Sequence, residues 1–311
     1  MSVLRVLARR VGTAVVVLWV AATATYLALL AAPGSTVDTI IGDGADSPEI
    51  RAQIAREWDL DRSPLVQYAA YLGRLVRGDL GRSYLLQRPV SEVLGAQLGS
   101  TVQLAVAAAT LGVLLSVVLA LVTTGRGAWA RRVSGTVELA FVSTPGFLVG
   151  MVLLNVFSFR WGLFPVAGDR GIAALVLPAV TLALPIAGLL TQVLREGLER
   201  ALDEPFAVTA RARGLRERAV VARHALRHAL LPVVTLAGWV FGGLLGGAVI
   251  VEQVFGRPGL GQIAVTAVTS QDLPVVLAVV MLSAAVFVAV STLADTLYAV
   301  VDPRLRTAVA A

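Results

Sequence analysis

Apolar and polar residues fall into separate blocks along this chain. Charge is absent from Val11–Ala32 (22 residues), Val93–Gly125 (33), Leu139–Phe159 (21), Gly171–Leu194 (24), Ala229–Val251 (23) and Leu273–Ala294 (22). A bilayer core takes about 20 apolar helical residues. The pattern therefore predicts six transmembrane helices in an all-α integral membrane protein. The runs are continuous, whereas barrel strands would give ten-residue segments of alternating polarity. Gln97, Gly99 and Ser100 interrupt the start of the 33-residue run, which reads as a polar lead-in and one span. Val11–Ala32 is longer than a signal-peptide core and closes on no small-x-small cleavage site, so it reads as a retained first span.

The polar blocks divide the chain into residues 1–32, with the first span, an outer loop at 33–98, and a core of five further spans at 99–311. A basic connector occupies 195–230 within that core. In the loop, Ser47-Pro48 and Ser63-Pro64 each place a capping serine before a proline suited to the first helical turn. Over Pro64–Arg77, residues Leu65, Tyr68, Ala69, Leu72 and Val76 form one stripe, and Gly78 follows as a stop. Ser91–Leu98 reads as a third short helix. These segments fit amphipathic helices lying on the membrane surface or on the bundle.

Composition strengthens the membrane assignment. Of 311 residues, 57% are hydrophobic and 15% charged, against about 25% charged in soluble domains. All 26 basic residues are arginine, and there is no cysteine. A nucleotide-binding P-loop requires lysine, so any ATP that drives this protein is expected on another chain. Sixteen arginines lie at the N-terminus, in 126–132, in 195–227 and in the tail, while the two short opposite connections carry Arg160, Arg170 and Arg257. The 33–92 loop has seven arginines but nine acids. The positive-inside rule then places both termini and the 195–230 connector in the cytoplasm.

That connector holds six arginines and both histidines between Thr209 and Pro232. Asp203 or Glu204 can cap a helix opened by Pro205, Gly214 breaks it, and a second helix runs from near Leu215 into the fifth span. Two readings fit: a helix docking into a groove of another protein, or an arginine-rich helix lying on anionic lipid.

The stretch FAVTARARGLRERAVVARHALRHALLPVVT (206–235) resembles the cytoplasmic signature of ABC-importer permeases of the dipeptide, oligopeptide and nickel family. The resemblance extends through DLDRSPLVQYAAYLGRLVRGDLGRSYLLQRPV (59–90), STPGFLVGMVLLNVFSFRWGLFPVAG (143–168), GGAVIVEQVFGRPGLGQIAVTAVTSQDLPVV (246–276) and DTLYAVVDPRLR (295–306). These motifs are collinear over nearly the whole chain and point to the first of the two permeases such systems encode. The resemblance implies a type I importer fold and an alternating-access permease subunit for peptides or a similar solute. It implies that the chain is not itself an enzyme and binds no cofactor. ATP and Mg would sit on two partner ATPase subunits or domains. A second homologous permease and an extracytoplasmic substrate-binding protein would complete the assembly in a prokaryotic cell membrane.

By the same resemblance, Phe206, Thr209, Ala210, Arg211, Arg213, Gly214, Leu215 and His224 belong to the ATPase-coupling helix and its surroundings. Thr209 and Ala210 stand where the general signature has an alanine pair, and Gly214 matches its glycine. The chain has Leu226-Arg227 where many importers have Leu-Pro. PGSTV at 33–37 lacks the acid of the common PGDP. Pro145, Phe147 and Glu252 are candidates for the translocation path or gate.

Other patterns are weaker. His224 and His228 are spaced i, i+4, but Arg223 and Arg227 flank them and no third ligand is near, so no metal site is expected. The GLGQIA match at 259–264 follows a membrane span, not a strand, and is read as accidental. Gly238, Gly242 and Gly246 allow close helix approach, either within the chain or against a second permease. Glu138, Glu252 and Asp295 sit at span ends. The competing class is an ion-coupled secondary transporter or a non-transporting scaffold. A carrier of that kind would carry midplane charges or an inverted repeat, and neither is visible.

Overall fold

The computed structural model describes residues 3–32, 35–41 and 47–301. Pro33, Gly34 and the tail from Asp302 lie outside them, as does the side chain of Asp295. The described chain is helical: α1 (Val3–Leu30), α2 (Thr36–Ile41), α3 (Pro48–Glu57), α4 (Pro64–Val76), α5 (Val90–Thr123), α6 (Ala128–Ser143) and α7 (Gly146–Leu153), which runs on as a π-helical stretch, Leu154–Arg160. Then come α8 (Ala173–Leu202), α9 (Pro205–Ala212), α10 (Glu217–Val220), a π-helical turn at Val221–Ala225, α11 (Leu226–Val254), α12 (Leu260–Thr269) and α13 (Leu273–Val301).

Among the described residues, four helices have the length and apolarity of a span: α1, α5, α8 and α13. α11 has 29 residues, about 43 Å at 1.5 Å per residue. The span expected at Leu139–Phe159 is not one straight helix. α6 and the α7 segment meet at a bend of 101°. Thr144 is extended there, with φ −83° and ψ 125°, and Pro145 opens α7. Proline removes a helical N–H and pushes the preceding residue out of the α region. The third short helix expected at Ser91–Leu98 is instead the first part of α5, a continuous 34-residue helix. Gly99 and Ser100 weaken a helix without ending it.

The chain divides into two compact units, one of Ser100–Pro258 with the chain from Phe287, the other of Ser2–Gly99 with Gly259–Val286. In the first, α8 packs along α6 and α11. Leu190, Leu194 and Leu198, four residues apart, form a fully buried stripe on α8. At Gly188 an added Cβ would lie 2.7 Å from the Glu138 carbonyl oxygen, so α6 and α8 touch backbone to side-chain-free backbone.

In the second unit, the Ser47 Oγ accepts the Ile50 N–H at 3.3 Å and caps α3 as its sequence suggests. Ser63 makes no such bond to α4. The buried stripe of α4 is also rotated from the expected one. Tyr68, Tyr71, Leu72 and Leu75 pack toward Ala22, Tyr26 and Leu277, while Leu65 and Val76 are 81% and 89% exposed. The buried carboxylate of Asp272 accepts from the Ser83 hydroxyl and from the N–H groups of Tyr84 (3.1 Å) and Leu85 (3.3 Å). This fixes the turn before α5 to the start of α13.

Candidate coupling connector and transport chamber

The connector is built on α9. Glu204 precedes it in extended backbone without a side-chain cap bond, and Pro205 supplies the first turn. Ala207 and Ala210 are buried in the protein's own core, whereas Val208 is 59% exposed and Thr209, Arg211, Ala212 and Arg213 are also exposed. The face available to a partner is therefore Val208, Thr209, Ala212 and Arg213. Ala210, expected on the docking face, points into its own chain. The spacing of an eight-residue helix does not say which face its own bundle will take.

Gly214 ends the helix with φ +82°, and nothing lies within 4 Å of where a Cβ would stand. Its requirement is the left-handed backbone itself. The Leu215 N–H then bonds back to the Ala210 carbonyl at 3.2 Å, and the Leu215 side chain packs partly buried against the core. Arg211 is also turned to its own chain. It donates to both Glu217 carboxylate oxygens, at 3.0 and 2.8 Å, and to the Leu202 carbonyl at 3.2 Å. Those hydrogen bonds hold the Glu217 carboxyl below the usual range. Phe206 stacks on His228 with centroids 4.8 Å apart and planes 24° apart, joining α9 to α11. His224 is exposed on the π-helical turn. Neither the Arg211–Glu217 clamp nor the Phe206–His228 stack is legible in the residue pattern; both need the turn at Gly214 to bring α10 and α11 back.

A chamber of about 890 Å³ lies in the same unit. Pro145 and Phe147, both expected near a path, line it with Thr181, Pro185, Gly242 and Phe287, and none of its wall residues is charged. The glycine row of α11 divides its roles. A Cβ at Gly242 would meet the Phe287 ring at 2.5 Å and one at Gly247 would meet Leu182 at 3.1 Å, whereas Gly243 and Gly246 face open space. The side chain of Glu252 is fully buried, accepts the Thr101 hydroxyl at 2.6 Å, and is absent from the chamber wall. Arg257 is also fully buried; among the described residues its side chain gives one bond, Nη2 to Gln103 Oε1 at 2.9 Å, and its backbone N–H bonds to the Glu252 carbonyl at 2.9 Å. Burial lowers its pKa, against the opposing pull of Asp169 and Glu252. Glu138 is fully buried and receives both terminal nitrogens of Arg195, with Nη2 at 2.8 Å, and the Ser134 hydroxyl. That ion pair joins α6 to α8.

An apolar chamber among membrane-length helices, with a compact basic connector at the end of α8, defines a membrane-embedded transport subunit. Residues 91–307 match the family described as binding-protein-dependent transport system inner membrane component, and residues 3–105 match its N-terminal companion. The chain belongs to this family of ABC-importer permeases. It is 36% identical over 307 residues to a putative peptide transport system permease protein of Brucella abortus, covering 96% of this chain and 98% of that one. It is 34% identical over 290 residues to a glutathione transport system permease protein of Salmonella choleraesuis, covering 93% and 94%. Among solved structures, it resembles an amino acid ABC transporter crystallised with histidines (21% identity, TM-score 0.51, covering 69% of this chain and 95% of that one). It also resembles the inward-facing MetNI methionine ABC transporter (19%, TM-score 0.52, covering 67% and 96%). These likenesses carry the type I importer fold. The family match and the 36% identical relative set aside the ion-coupled carrier and the scaffold.

Proposed function

We propose that this permease imports peptides across a prokaryotic cell membrane, as one of two distinct permeases served by an extracytoplasmic binding protein. Both termini and the connector face the cytoplasm. Two ATPase subunits or domains hold the ATP and Mg and hydrolyse the nucleotide, and this chain does no chemistry of its own. The names of the Brucella and Salmonella relatives support a peptide-like solute. The apolar, uncharged chamber suits a passage that tolerates varied side chains, with selection left to the binding protein.

The observation that carries the coupling is the construction of α9. Its inner face, Ala207 and Ala210, is packed into the bundle, and its outer face, Val208, Thr209, Ala212 and Arg213, is free for a groove. Force on that face passes to α8 and α10 through Arg211 and to α11 through Phe206 and His228. The test is peptide uptake and ATP hydrolysis by the assembled complex in proteoliposomes. Val208→Asp and Gly214→Val should insert normally and lower coupled uptake by about tenfold or more, some 1.4 kcal/mol in the coupling step. Arg216→Gln with Arg223→Gln should transport nearly as well as the parent. If the arginine variant fails while Gly214→Val transports normally, α9 is a lipid-surface helix and the coupling role falls.

A further inference from the structure

Two adjoining cavities, of about 40 and 160 Å³, lie within the unit of Ser2–Gly99 and Gly259–Val286. They share Tyr26, Gln67, Tyr84 and Leu273 as walls. The larger is about the size of a cavity that holds a benzene ring, and the walls of the two mix rings with polar side chains. Trp58 and Tyr84 meet edge to face with centroids 5.0 Å apart, so the wall they form is set. Tyr26 is held in turn by a bond from its hydroxyl to the Pro64 carbonyl at 2.8 Å.

Tyr71 and Arg74 line the smaller cavity. Tyr71 is 7% exposed, and its hydroxyl is buried without a hydrogen-bond partner. A packing role alone would be served better by phenylalanine, because an orphaned hydroxyl destabilises the fold. Arg62, also on the wall, is paired with Asp59 at 3.0 Å. The Arg74 side chain makes no ion pair among the described residues. Burial pushes the Tyr71 and Tyr84 phenols up to about 12, so both remain neutral at physiological pH. Two arginines against one aspartate disfavour a cation. Neutral phenol and guanidinium donors instead fit an anionic acceptor, and the rings fit an apolar body.

We propose that these cavities form a binding site for a small organic carboxylate with a compact apolar or aromatic body, its carboxylate held by Arg74 and the Tyr71 hydroxyl. The site shares no wall residue with the chamber and does not depend on the coupling reading.

The experiment uses the full chain in lipid nanodiscs, with phenylacetate as probe and phenylacetamide as its neutral counterpart, followed by ligand-observed NMR and thermal unfolding. Phenylacetate should bind saturably, and phenylacetamide about tenfold more weakly or less. Arg74→Gln and Tyr71→Phe should each weaken phenylacetate about tenfold, while Arg77→Gln, off the cavity wall, should leave it unchanged. Without probe, Tyr71→Phe should unfold at or above the parental temperature, since it removes an unpaired buried hydroxyl. Four results would each overturn the site: no saturable binding to the parent, equal affinity for the two probes, unchanged affinity in both cavity variants, or a probe-free Tyr71→Phe protein less stable than the parent.

Discussion

At the scale of single residues, buried charge decides more than exposed charge. Glu138 and Arg195 form a two-point ion pair with side chains 1% and 12% exposed. Removing one partner of such a pair strands the other, at a cost of about 3–5 kcal/mol, whereas replacing both by apolar groups is often neutral. Glu138→Ala should therefore lower the unfolding midpoint in detergent sharply, and Glu138→Met with Arg195→Leu should recover most of it. Failure of the double variant to recover would mean that the pair's geometry, not its charge balance, holds α6 to α8. The clamp at the connector predicts a pH effect. The folded Glu217 pKa is depressed, first by hydrogen bonds from Arg211, so its contribution is complete above the unfolded carboxylate pKa and is lost as pH falls through the folded value. Amide exchange protection over 211–217 should be flat near neutrality and fall in acid, and Glu217→Gln should remove that acid step. Gly214 was legible in the sequence because a helix stop states its own backbone demand. The inward turn of Ala210 was not, because it depends on which face the bundle covers.

At the scale of elements, the apolar runs located the helices, but their breaks and faces obeyed other signals. The run Leu139–Phe159 contains no charge, so hydropathy alone joined what Thr144 and Pro145 separate. The proline was in plain view, yet proline is tolerated within membrane helices when neighbours satisfy the freed backbone groups. α8 carries Pro178 and Pro185 without breaking. The difference at Pro145 is that Thr144 takes the extended backbone. Pro145→Ala should let Thr144 return to helix and open the 101° bend. Spin labels at the far ends of α6 and α7 should then move apart, and because Pro145 and Phe147 line the chamber, uptake should fall about tenfold. An unchanged distance would show that packing against α8, rather than the proline, makes the bend. The face of α4 was misread for a simpler reason. The expected stripe holds Tyr68 and Leu72, which do pack inward, but it omits Tyr71 and Leu75 and includes Leu65 and Val76, which stay outside.

At the scale of the whole molecule, arginine distribution is the one sequence feature that speaks of sidedness, since the fold alone has no inside or outside. The 195–227 block has eight arginines, and the loop at 33–92 balances seven against nine acids. Basic segments near short connections resist translocation, while a long loop of mixed charge crosses readily. This distribution supports the proposed orientation, with the connector in the cytoplasm and α3 outside. The parent has no cysteine, so a single introduced thiol gives labelling without background. Ala52 in α3 and Ala222 on the π-helical turn are both exposed. In intact cells, Ala52→Cys should react with a membrane-impermeant maleimide and Ala222→Cys should react only after the membrane is opened. Labelling of Ala222→Cys in intact cells would invert the orientation. It would also place the connector away from cytoplasmic ATP, so the same result would remove the basis for coupling through α9.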